Sequence, residues 1–291
     1  MNCINPKKLQ PKGHPETITV GCGKCLSCRI AKRKEWSTRL WHELAYHDKS
    51  VFLTLTYSDD CLPDNESLRL RDLQLYFKRL RKVLGERRIK YFACGEYGNN
   101  SHRPHYHAII YGVGLDRDDK RIMRECWNYC DWTVDSIKRN SFGVVTPKSI
   151  NYVAGYIHSK LSGKMAIEQY ENTGREPVFR LISQGIGKQF ALDNQDQIRE
   201  NMCITQFGSK LTIPRYYINK LELDTEPLKD ASIYVEAETV EHYTGLNITH
   251  KDLIQSGDIE AEKKYRNGLK KSRLQRNRTL QAQVDLKSSK L

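Results

Sequence analysis

Apolar and polar residues along the chain form a pattern that predicts short strands separated by helices. A β-branched and aromatic run, Val51-Phe-Leu-Thr-Leu-Thr-Tyr57, predicts a strand that ends in the turn residues 58–60. Between Leu70 and Leu84 the apolar residues recur every three or four positions, which predicts a helix with Gly85 as its C-terminal stop. These two runs therefore predict a strand followed by a helix.

The same reading continues through the middle of the chain. It predicts strands at 89–94 and 105–111 around a loop at 95–104, a helix at 117–129, a strand or hairpin within 132–145, and a helix at 150–161. The order is β-α-β-β-α-β followed by a helix. This order predicts an α+β fold of the split βαβ kind (ferredoxin-like or RRM-like), with helices on one face of an antiparallel sheet and the other face open.

The ends of the chain differ from this middle region. A cysteine-containing turn at 21–28 precedes a predicted helix from Ile30 to His47. Residues 221–262 hold eleven acidic and two basic residues, whereas 263–291 hold ten basic residues and one acidic residue. We therefore divide the chain into an N-terminal segment (1–48), a main domain (49–220), and an acidic segment followed by a basic tail (221–291). The tail is compatible with a helical hairpin, a DNA contact or disorder, and the sequence does not choose among them.

Charge and composition indicate the partners and the compartment. The 48 Lys and Arg residues exceed the 35 Asp and Glu residues, for a formal net charge of +13, which favours polyanionic partners such as nucleic acids, although a ribosome-associated or merely basic protein would have a similar balance. No apolar run is long enough for a membrane span, and the N-terminus lacks the apolar core of a signal peptide. Nine cysteines, several of them within predicted strands or helices, fit reduced thiols better than a disulfide framework. We expect a protein of the cytoplasm with no membrane partner.

Two histidines at the start of a predicted strand are candidate metal ligands. His105 and His107 are two positions apart, so both imidazoles face the same side of a strand. Glu96 ends the preceding strand and could lie beside them in an antiparallel pair. Two imidazoles and a carboxylate would leave positions for water and phosphate oxygens on Mg²⁺ or Mn²⁺. The alternative is a half-exposed strand edge without a metal, and His102 in the preceding loop is either a further ligand or a solvated side chain.

The last predicted helix carries candidate nucleophiles. Tyr152, Tyr156 and Lys160 recur every four residues, which stacks two phenols and an ammonium group along one helix face. A phenol is a poor nucleophile until a cation or a polarised phosphate assists it, and Lys160 could supply that charge. The alternative is an aromatic stripe in the core.

At these residues the sequence resembles the HUH endonucleases, in particular the rolling-circle replication initiators. The resemblance rests on three motifs in order, Phe52-Leu-Thr-Leu-Thr56, His105-Tyr106-His107 and Tyr152-xxx-Tyr156-xxx-Lys160. The two-tyrosine form and the flanking segments are similar to the initiators of gokushovirus-type microviruses, which are small single-stranded DNA bacteriophages. Those segments are Cys22-Gly-Lys-Cys25-Leu-Ser-Cys28-Arg29, Ser183-Gln-Gly-Ile-Gly187 and Pro214-Arg-Tyr-Tyr217, and the resemblance spans roughly residues 20–220.

The resemblance implies an HUH fold and an activity. Proteins of this kind nick single-stranded DNA at the phage origin, form a 5′-phosphotyrosine link, leave a 3′-hydroxyl for the host polymerase, and later rejoin the strand. By this resemblance Tyr152 and Tyr156 are the nucleophiles, Glu96, His105 and His107 are the metal ligands, and origin DNA, replicative-form DNA and a host helicase are partners. Tyr106 departs from the bulky apolar residue that is usual there, and its ring can still pack into the sheet.

Two other functions share parts of this evidence. A two-tyrosine transposase or plasmid relaxase would use the same chemistry on another substrate. A non-catalytic basic nucleic-acid-binding protein with a split βαβ fold would need neither tyrosine.

Three further features have alternative interpretations. Cys22, Cys25 and Cys28 are candidate Zn²⁺ ligands with Cys3 or His14 as a fourth, or else form a reduced turn against the next helix. The nine basic residues within 69–90 would contact phosphates or only solubilise a helix face. The aromatic residues that could stack on unpaired bases or fill the core are Tyr91, Phe92 and Tyr97.

Overall fold

The computed structural model describes residues 3–10, 17–98, 101–130, 132, 141–156 and 167–288. The chain forms two compact units, one made of 33–196 and the other of 1–32 together with 197–291. The segment boundaries at 48 and 220, which rest on motifs and charge, stay a prediction.

A five-stranded antiparallel sheet is the centre of the unit 33–196. In chain order its strands are β3 (Ser50–Thr56), β4 (Lys90–Tyr97), β5 (Pro104–Tyr111), β6 (Ser141–Gly143) and β7 (Phe179–Ile182). Within the sheet they lie side by side in the order β6-β3-β5-β4-β7. The first four follow the strand order of the split βαβ arrangement, so the predicted α+β class with an antiparallel sheet is confirmed. The fifth strand, β7, pairs with the outer edge of β4 and is not among the predicted strands.

The helices of this unit include the four predicted ones, three of them with shifted ends, and a further helix at 188–193 that is not among the predictions. They are α1 (Leu26–Leu44), which starts in the other unit, α2 (Leu70–Leu84), α3 (Arg117–Cys126), α4 (Pro147–Gly155) and α5 (Lys188–Asp193), with a turn of π-helix at Ile167–Glu171. The predicted bounds of α2 are confirmed, including Gly85 at its C-terminus, where a φ of 60° suits glycine. The predicted extension of α4 to Leu161 lies outside the described residues.

One face of the sheet packs against α2 and α3. Alternate residues of β3, β4 and β5 point to this side, where they meet the apolar stripe of α2 and the inner side of α3. Tyr106 lies fully buried in this core, so the expectation that its ring packs into the sheet is confirmed. Its hydroxyl is 2.6 Å from that of Tyr57 and accepts a hydrogen bond from the backbone N–H of Arg69, directly before α2, at 2.9 Å.

The other face is also covered, which corrects the prediction that helices lie on one face only. Phe92 and Ile109 of the sheet pack against Leu40 of α1 and against the inner side of α4. The α4 residues in this core are Ile150, Val153 and Ala154, all buried. Amphipathic helices on both sides bury apolar side chains that a sheet open on one face would leave in water.

The aromatic residues proposed to stack on bases are buried. Tyr91, Phe92 and Tyr97 belong to the two cores, with exposed fractions of 6%, 0% and 8%, so base stacking by them is excluded in this conformation.

Several basic residues of 69–90 have partners within the protein. Arg87 pairs with the buried Asp119, and Lys90 pairs with Glu43. This stretch contributes to the fold as well as to the surface charge.

The second unit contains two short hairpins and the C-terminal helices. The hairpin strands are β1 (Lys7–Leu9) with β2 (Ile18–Val20), and β8 (Ile204–Gln206) with β9 (Ser209–Leu211). The helices are α6 (Gln195–Asn201), which begins at the division between the units, α7 (Arg215–Leu221), α8 (Glu226–Thr244), α9 (His250–Ser256) and α10 (Ile259–Ser288).

The described part of the acidic segment and basic tail is largely helical, as the helical alternative predicts, whereas a DNA contact by the tail stays a prediction. Val240 of α8, Leu253 of α9 and Tyr265 of α10 form a small buried core where these helices meet. Among the residues that the structure describes, no helix is both long and apolar enough to cross a bilayer.

Removing the Tyr106 hydroxyl should destabilise the protein. The substitution Tyr106→Phe leaves the Arg69 N–H and the Tyr57 hydroxyl without this partner, and an unsatisfied buried polar group costs about 1–3 kcal/mol. We expect the free energy of unfolding, measured by urea denaturation, to fall by that amount. Tyr91→Phe is a matched control on the same sheet face. The Tyr91 hydroxyl accepts a hydrogen bond of 3.2 Å from Arg81, which is longer than the bonds of the Tyr106 hydroxyl with Tyr57 and with the Arg69 N–H, and Arg81 is an exposed residue. Equal losses in the two variants would contradict the assigned role of Tyr106.

Candidate metal and tyrosine site

The antiparallel register brings the three predicted metal ligands together. Glu96 of β4 lies directly opposite His105 of β5, and His107 follows two residues later on the same face. Strand β4 extends to Tyr97, beyond the predicted end at Cys94, so Glu96 lies within the ladder rather than in a loop. The ladder fixes the backbone position of all three side chains.

The donor atoms of these residues converge. Glu96 Oε1 is 2.7 Å from His105 Nε2 and 3.0 Å from His107 Nε2, and the three ligand atoms all lie within 4.8 Å of one another. Neighbouring ligands of an octahedral Mg²⁺ or Mn²⁺ ion, with bonds of about 2.1 Å, are about 3 Å apart. Two imidazoles and one carboxylate on one side of an ion would leave its other positions for water and phosphate oxygens. The residues present therefore fit a divalent cation.

Each imidazole is oriented through its second nitrogen. His105 Nδ1 lies 3.1 Å from the carbonyl oxygen of Arg103, which can only accept, so Nδ1 carries the hydrogen and Nε2 faces Glu96. His107 Nδ1 is 3.0 Å from the hydroxyl of Thr54, its cross-strand partner on β3. Such outer contacts hold a metal-binding histidine in one ring orientation.

Burial and mutual contacts shift the titration of all three groups. Burial opposes the charge on Glu96, but hydrogen bonds with His105 and His107 outweigh it and lower the pKa of this carboxyl. Burial also disfavours the charge on His105, yet the contacts with Glu96 and the Arg103 carbonyl raise the pKa of this imidazole above its ordinary value. For His107 burial prevails and lowers the pKa. These contacts therefore favour the ionised carboxyl of Glu96 and the protonated imidazole of His105.

Helix α4 carries the two tyrosines to this cluster. The helix begins with a capping box of Thr146 and Ser149 and a proline at its first position, which together fix where it starts. Its inward residues pack on the sheet, so Tyr152 lies at the edge of that contact, above the histidines. The Tyr152 hydroxyl is 3.4 Å from His107 Nε2, and its ring meets that of His107 edge-on at 5.1 Å between centroids.

The second tyrosine is at the C-cap of α4. The ring of Tyr156 stacks on His107 with centroids 5.7 Å apart and meets the ring of Tyr152 edge-on at 4.8 Å. Both tyrosines thus contact the same imidazole, as their spacing in the sequence predicts. The interpretation of the pair as an internal core stripe fails for Tyr152, which is 46% exposed.

The two phenols differ in how strongly the protein opposes their ionisation. Burial raises the pKa of Tyr152, but a hydrogen bond with Tyr156 partly offsets the increase. Burial raises the pKa of Tyr156 much further, and its hydrogen bond with Tyr152 adds to the increase. Loss of the proton is therefore easier at Tyr152.

Two other candidate residues have different outcomes. Lys160 lies outside the described residues, so its role as a charge for the phenols stays a prediction. His102 is exposed in the turn before β5 and does not join the convergent ligand atoms.

The N-terminal cysteines form a second cluster. Cys22, Cys25 and Cys28 are joined by Cys3, and the four sulfur atoms lie within 4.8 Å of one another. His14, the other candidate for a fourth ligand, lies outside the part of the chain that the structure describes. Burial opposes ionisation of Cys22, but backbone N–H groups of Cys25 and Lys24 outweigh it and lower the pKa of this thiol to about 6.

Sequence reasoning missed two residues near the histidine cluster. Thr54 belongs to a recognised motif, but its contact with His107 depends on the β3–β5 register, which no local pattern reveals. Arg180 of β7 lies opposite Cys94, on the same sheet face as His107, and is exposed. The apolar neighbours of Arg180 at 178–182 could have predicted the strand, although not its place beside β4.

Comparisons with known proteins identify the family of the chain. Residues 50–161 match the model of a family described as replication-associated protein ORF2. The chain is 31% identical over 226 residues to the replication-associated protein ORF2 of Spiroplasma virus 4, covering 70% of this chain and 68% of that protein. It is 32% identical to the replication-associated protein VP4 of Bdellovibrio phage phiMH2K, over 67% of this chain and 65% of the relative.

A third relative extends the same group. The chain is 27% identical to the replication-associated protein ORF4 of Chlamydia phage 1, over 70% of this chain and 56% of that protein. No solved structure matches the chain. The extent of the match to the Spiroplasma virus protein establishes that the chain belongs to this family, the replication-associated proteins of gokushovirus-type microviruses.

Proposed function

We propose that the protein is a metal-dependent DNA nickase and strand transferase that initiates rolling-circle replication of a phage genome. One observation carries the proposal: the hydroxyl of Tyr152 lies 3.4 Å from a nitrogen of His107, within a group of three convergent metal-ligand atoms. Transesterification at phosphorus requires a nucleophile and a cation site close enough to act on the same phosphate group. Family membership supports replication over transposition or conjugative transfer.

The chemistry follows from this geometry. A divalent cation held by Glu96, His105 and His107 would neutralise charge on the scissile phosphate and orient it for in-line attack. The oxygen of Tyr152 would bond to phosphorus as the bond from phosphorus to the 3′ oxygen breaks. The phenol loses its proton, and the departing oxygen gains one and leaves as a 3′-hydroxyl. The 5′-phosphotyrosine ester conserves the bond energy, so the strand can be rejoined without ATP.

We assign the first attack to Tyr152 and the later transfer to Tyr156. Tyr152 is more exposed, its hydroxyl is beside the ligand cluster, and its contact with Tyr156 favours loss of its proton. Tyr156 is stacked on His107 and more strongly resists ionisation. A second phenol 4.8 Å from the first, measured between ring centroids, is close enough to attack a strand presented to the same site.

The substrate and setting follow from the same proposal. Single-stranded origin DNA and replicative-form DNA would be the substrates, and the 3′-hydroxyl would serve the host polymerase after a host helicase separates the strands. Such an enzyme would act in the cytoplasm of a bacterial host.

Arg180 is exposed on edge strand β7, on the same sheet face as the site. It would contact a phosphate of the bound DNA strand.

Separate replacement of the two tyrosines should block two different steps of the reaction. With labelled single-stranded DNA from the replicon's own origin and Mn²⁺, Tyr152→Phe should lower formation of a denaturation-resistant protein–DNA adduct by about a thousandfold or more, since the nucleophile is lost. Tyr156→Phe should form the adduct but fail to complete strand transfer. Adduct formation would be measured on denaturing gels in single-turnover conditions.

Tyr46→Phe is the matched control, because this partly exposed tyrosine bonds to Asp193, away from the cluster. Activity in the double variant Tyr152→Phe/Tyr156→Phe equal to that of the unmodified protein would overturn the nickase proposal and favour a non-catalytic DNA-binding protein. An adduct that survives in Tyr152→Phe and disappears in Tyr156→Phe would reverse the assigned order.

Metal affinity should fall as the solution becomes more acidic. The pKa of His105 is raised above its ordinary value, so below that pKa a proton competes with the cation for Nε2, and each displaced proton weakens the apparent affinity by about tenfold per pH unit. We expect calorimetric titration with Mn²⁺ to give a dissociation constant several-fold higher near pH 6 than near pH 8. An affinity that does not change over this range would show that His105 is not a ligand.

Loss of Arg180 should weaken binding to single-stranded DNA in a salt-dependent way. If Arg180 contacts one phosphate, Arg180→Gln should reduce the slope of log affinity against log salt by about 0.7, measured by fluorescence anisotropy with a labelled oligonucleotide. Arg121→Gln is the matched control, since Arg121 is an exposed arginine of α3, which packs on the opposite sheet face. Equal changes in slope for the two variants would show that Arg180 is not part of the DNA-binding surface.

A further inference from the structure

We propose that Cys3, Cys22, Cys25 and Cys28 bind one structural Zn²⁺ ion that holds the N-terminal hairpin to the start of α1. All four sulfur atoms lie within 4.8 Å of one another, and Cys3 is buried with 2% of its surface exposed. Cys3 precedes β1, Cys22 follows β2, and Cys28 is in the first turn of α1. One ion would therefore connect three separate parts of the same unit.

The distances fit a tetrahedral metal site better than disulfides. Cys3 Sγ and Cys25 Sγ are 3.9 Å apart. Four thiolates at about 2.3 Å from a zinc ion are about 3.8 Å from one another, whereas a disulfide brings two sulfur atoms to about 2.05 Å. All four cysteines are free thiols. An iron–sulfur cluster places iron and sulfide between its thiolates, so it needs a wider arrangement than this one.

The backbone around the sulfur atoms is arranged to stabilise thiolates. The N–H of Cys22 donates to Cys3 Sγ at 3.2 Å, and the N–H of Cys25 donates to Cys22 Sγ at 3.3 Å. Such bonds to ligating atoms orient them and lower the charge they present. Gly23, between these cysteines, has a φ of +73°, a conformation that glycine adopts without strain.

The absence of a side chain at Gly21 leaves space for the sulfur atom of Cys28. A Cβ at position 21 would lie 2.9 Å from Cys28 Sγ, closer than van der Waals contact permits. The first turn of α1 also contains no acidic residue, although helix N-termini favour negative charge. Four thiolates and one Zn²⁺ carry a net negative charge, which would occupy this position and face the basic residues of α1.

The hairpin itself explains why a metal would be needed. The side chains of β1 are exposed, and those of β2 are exposed except for the half-buried Val20, so these strands bury little apolar surface. A two-stranded hairpin of this kind is at best marginally stable in water. Metal binding to ligands on both sides of it supplies the folding free energy that its side chains do not.

The inference can be tested with cobalt on the full-length protein. Replacing bound metal with Co²⁺ should give one thiolate-to-cobalt charge-transfer signal per chain, which the Glu96, His105 and His107 site cannot produce because it has no sulfur ligand. Cys3→Ser should weaken Co²⁺ binding by about a hundredfold or more, whereas Cys61→Ser, at an exposed cysteine outside the cluster, should leave it unchanged. Gly21→Ala should weaken it as well, through the displaced Cys28.

A second measurement uses the unmodified protein and does not depend on the folding of a variant. With Zn²⁺ bound, Cys22, Cys25 and Cys28 should resist alkylation by N-ethylmaleimide while Cys61 reacts, and a chelator should abolish that protection. The zinc site would be overturned by absence of the charge-transfer signal or by a signal that is unchanged in Cys3→Ser. A protein mass that is lower by two hydrogen atoms per pair of cysteines would indicate disulfides and would overturn it as well. None of these outcomes depends on DNA cleavage, so the result is separate from the test of the proposed nickase.

Discussion

The antiparallel ladder between β4 and β5 is the constraint on which the site depends. Glu96 lies opposite His105 in this ladder, and His107 follows on the same face because strand side chains alternate with a period of two. A slip of one residue would turn both histidines into the core formed with α2 and α3. The chain opposes that slip with Tyr106, which lies between the two histidines, points to the opposite face and contacts Tyr57 and Arg69. Tyr106 thus helps to hold the register of both candidate metal ligands on β5.

The second sheet face has two roles that divide along the strands. Toward one end, Phe92 and Ile109 form a closed apolar core with α1 and α4. Toward the other, the same face carries the carboxylate and the imidazoles, with Tyr152 above them. Phe52 lies at the transition, stacked on His107 at 5.7 Å and edge-on to Tyr152 at 6.3 Å. Helix α4 can therefore be held by apolar packing through Val153 while it presents a phenol to a polar site one residue earlier.

Local patterns in the sequence predict much of this architecture, and their failures have identifiable physical causes. The helix from Leu70 to Leu84 and the strand containing the histidines have strong periodicity, so their predicted bounds are close to those observed. The predicted end of β4 is too early because Gly95 reads as a turn residue, whereas here it allows Phe179 of β7 to lie close to the ladder. The covered second face is missed because the packing of Leu40 on α4 is a contact between residues distant in sequence. The candidate site divides in the same way. Strand and helix periods predict that His105 and His107 share one face and that Tyr152 and Tyr156 share another, whereas Glu96 is predicted from the expected antiparallel strand pair. Strand pairing, which spacing does not reveal, brings Thr54 to His107 and places Arg180 on the same sheet face. The sequence leaves Cys3 and His14 as alternatives for the fourth position beside the three cysteines, and chain reversal brings Cys3 there.

The two proposed metal sites differ in ligand chemistry, which would let one chain use two ions for different purposes. Four soft thiolates select Zn²⁺ and fill a tetrahedral site, so no position remains for a substrate. The carboxylate and imidazoles of the sheet supply only three donors, on one side of an ion, and an octahedral cation would retain positions for phosphate oxygens. In the proposed site, a bound cation would take over the stabilisation of the buried Glu96 charge that contacts with the two histidines provide without an ion. Cation binding and protonation of His105 would therefore oppose each other.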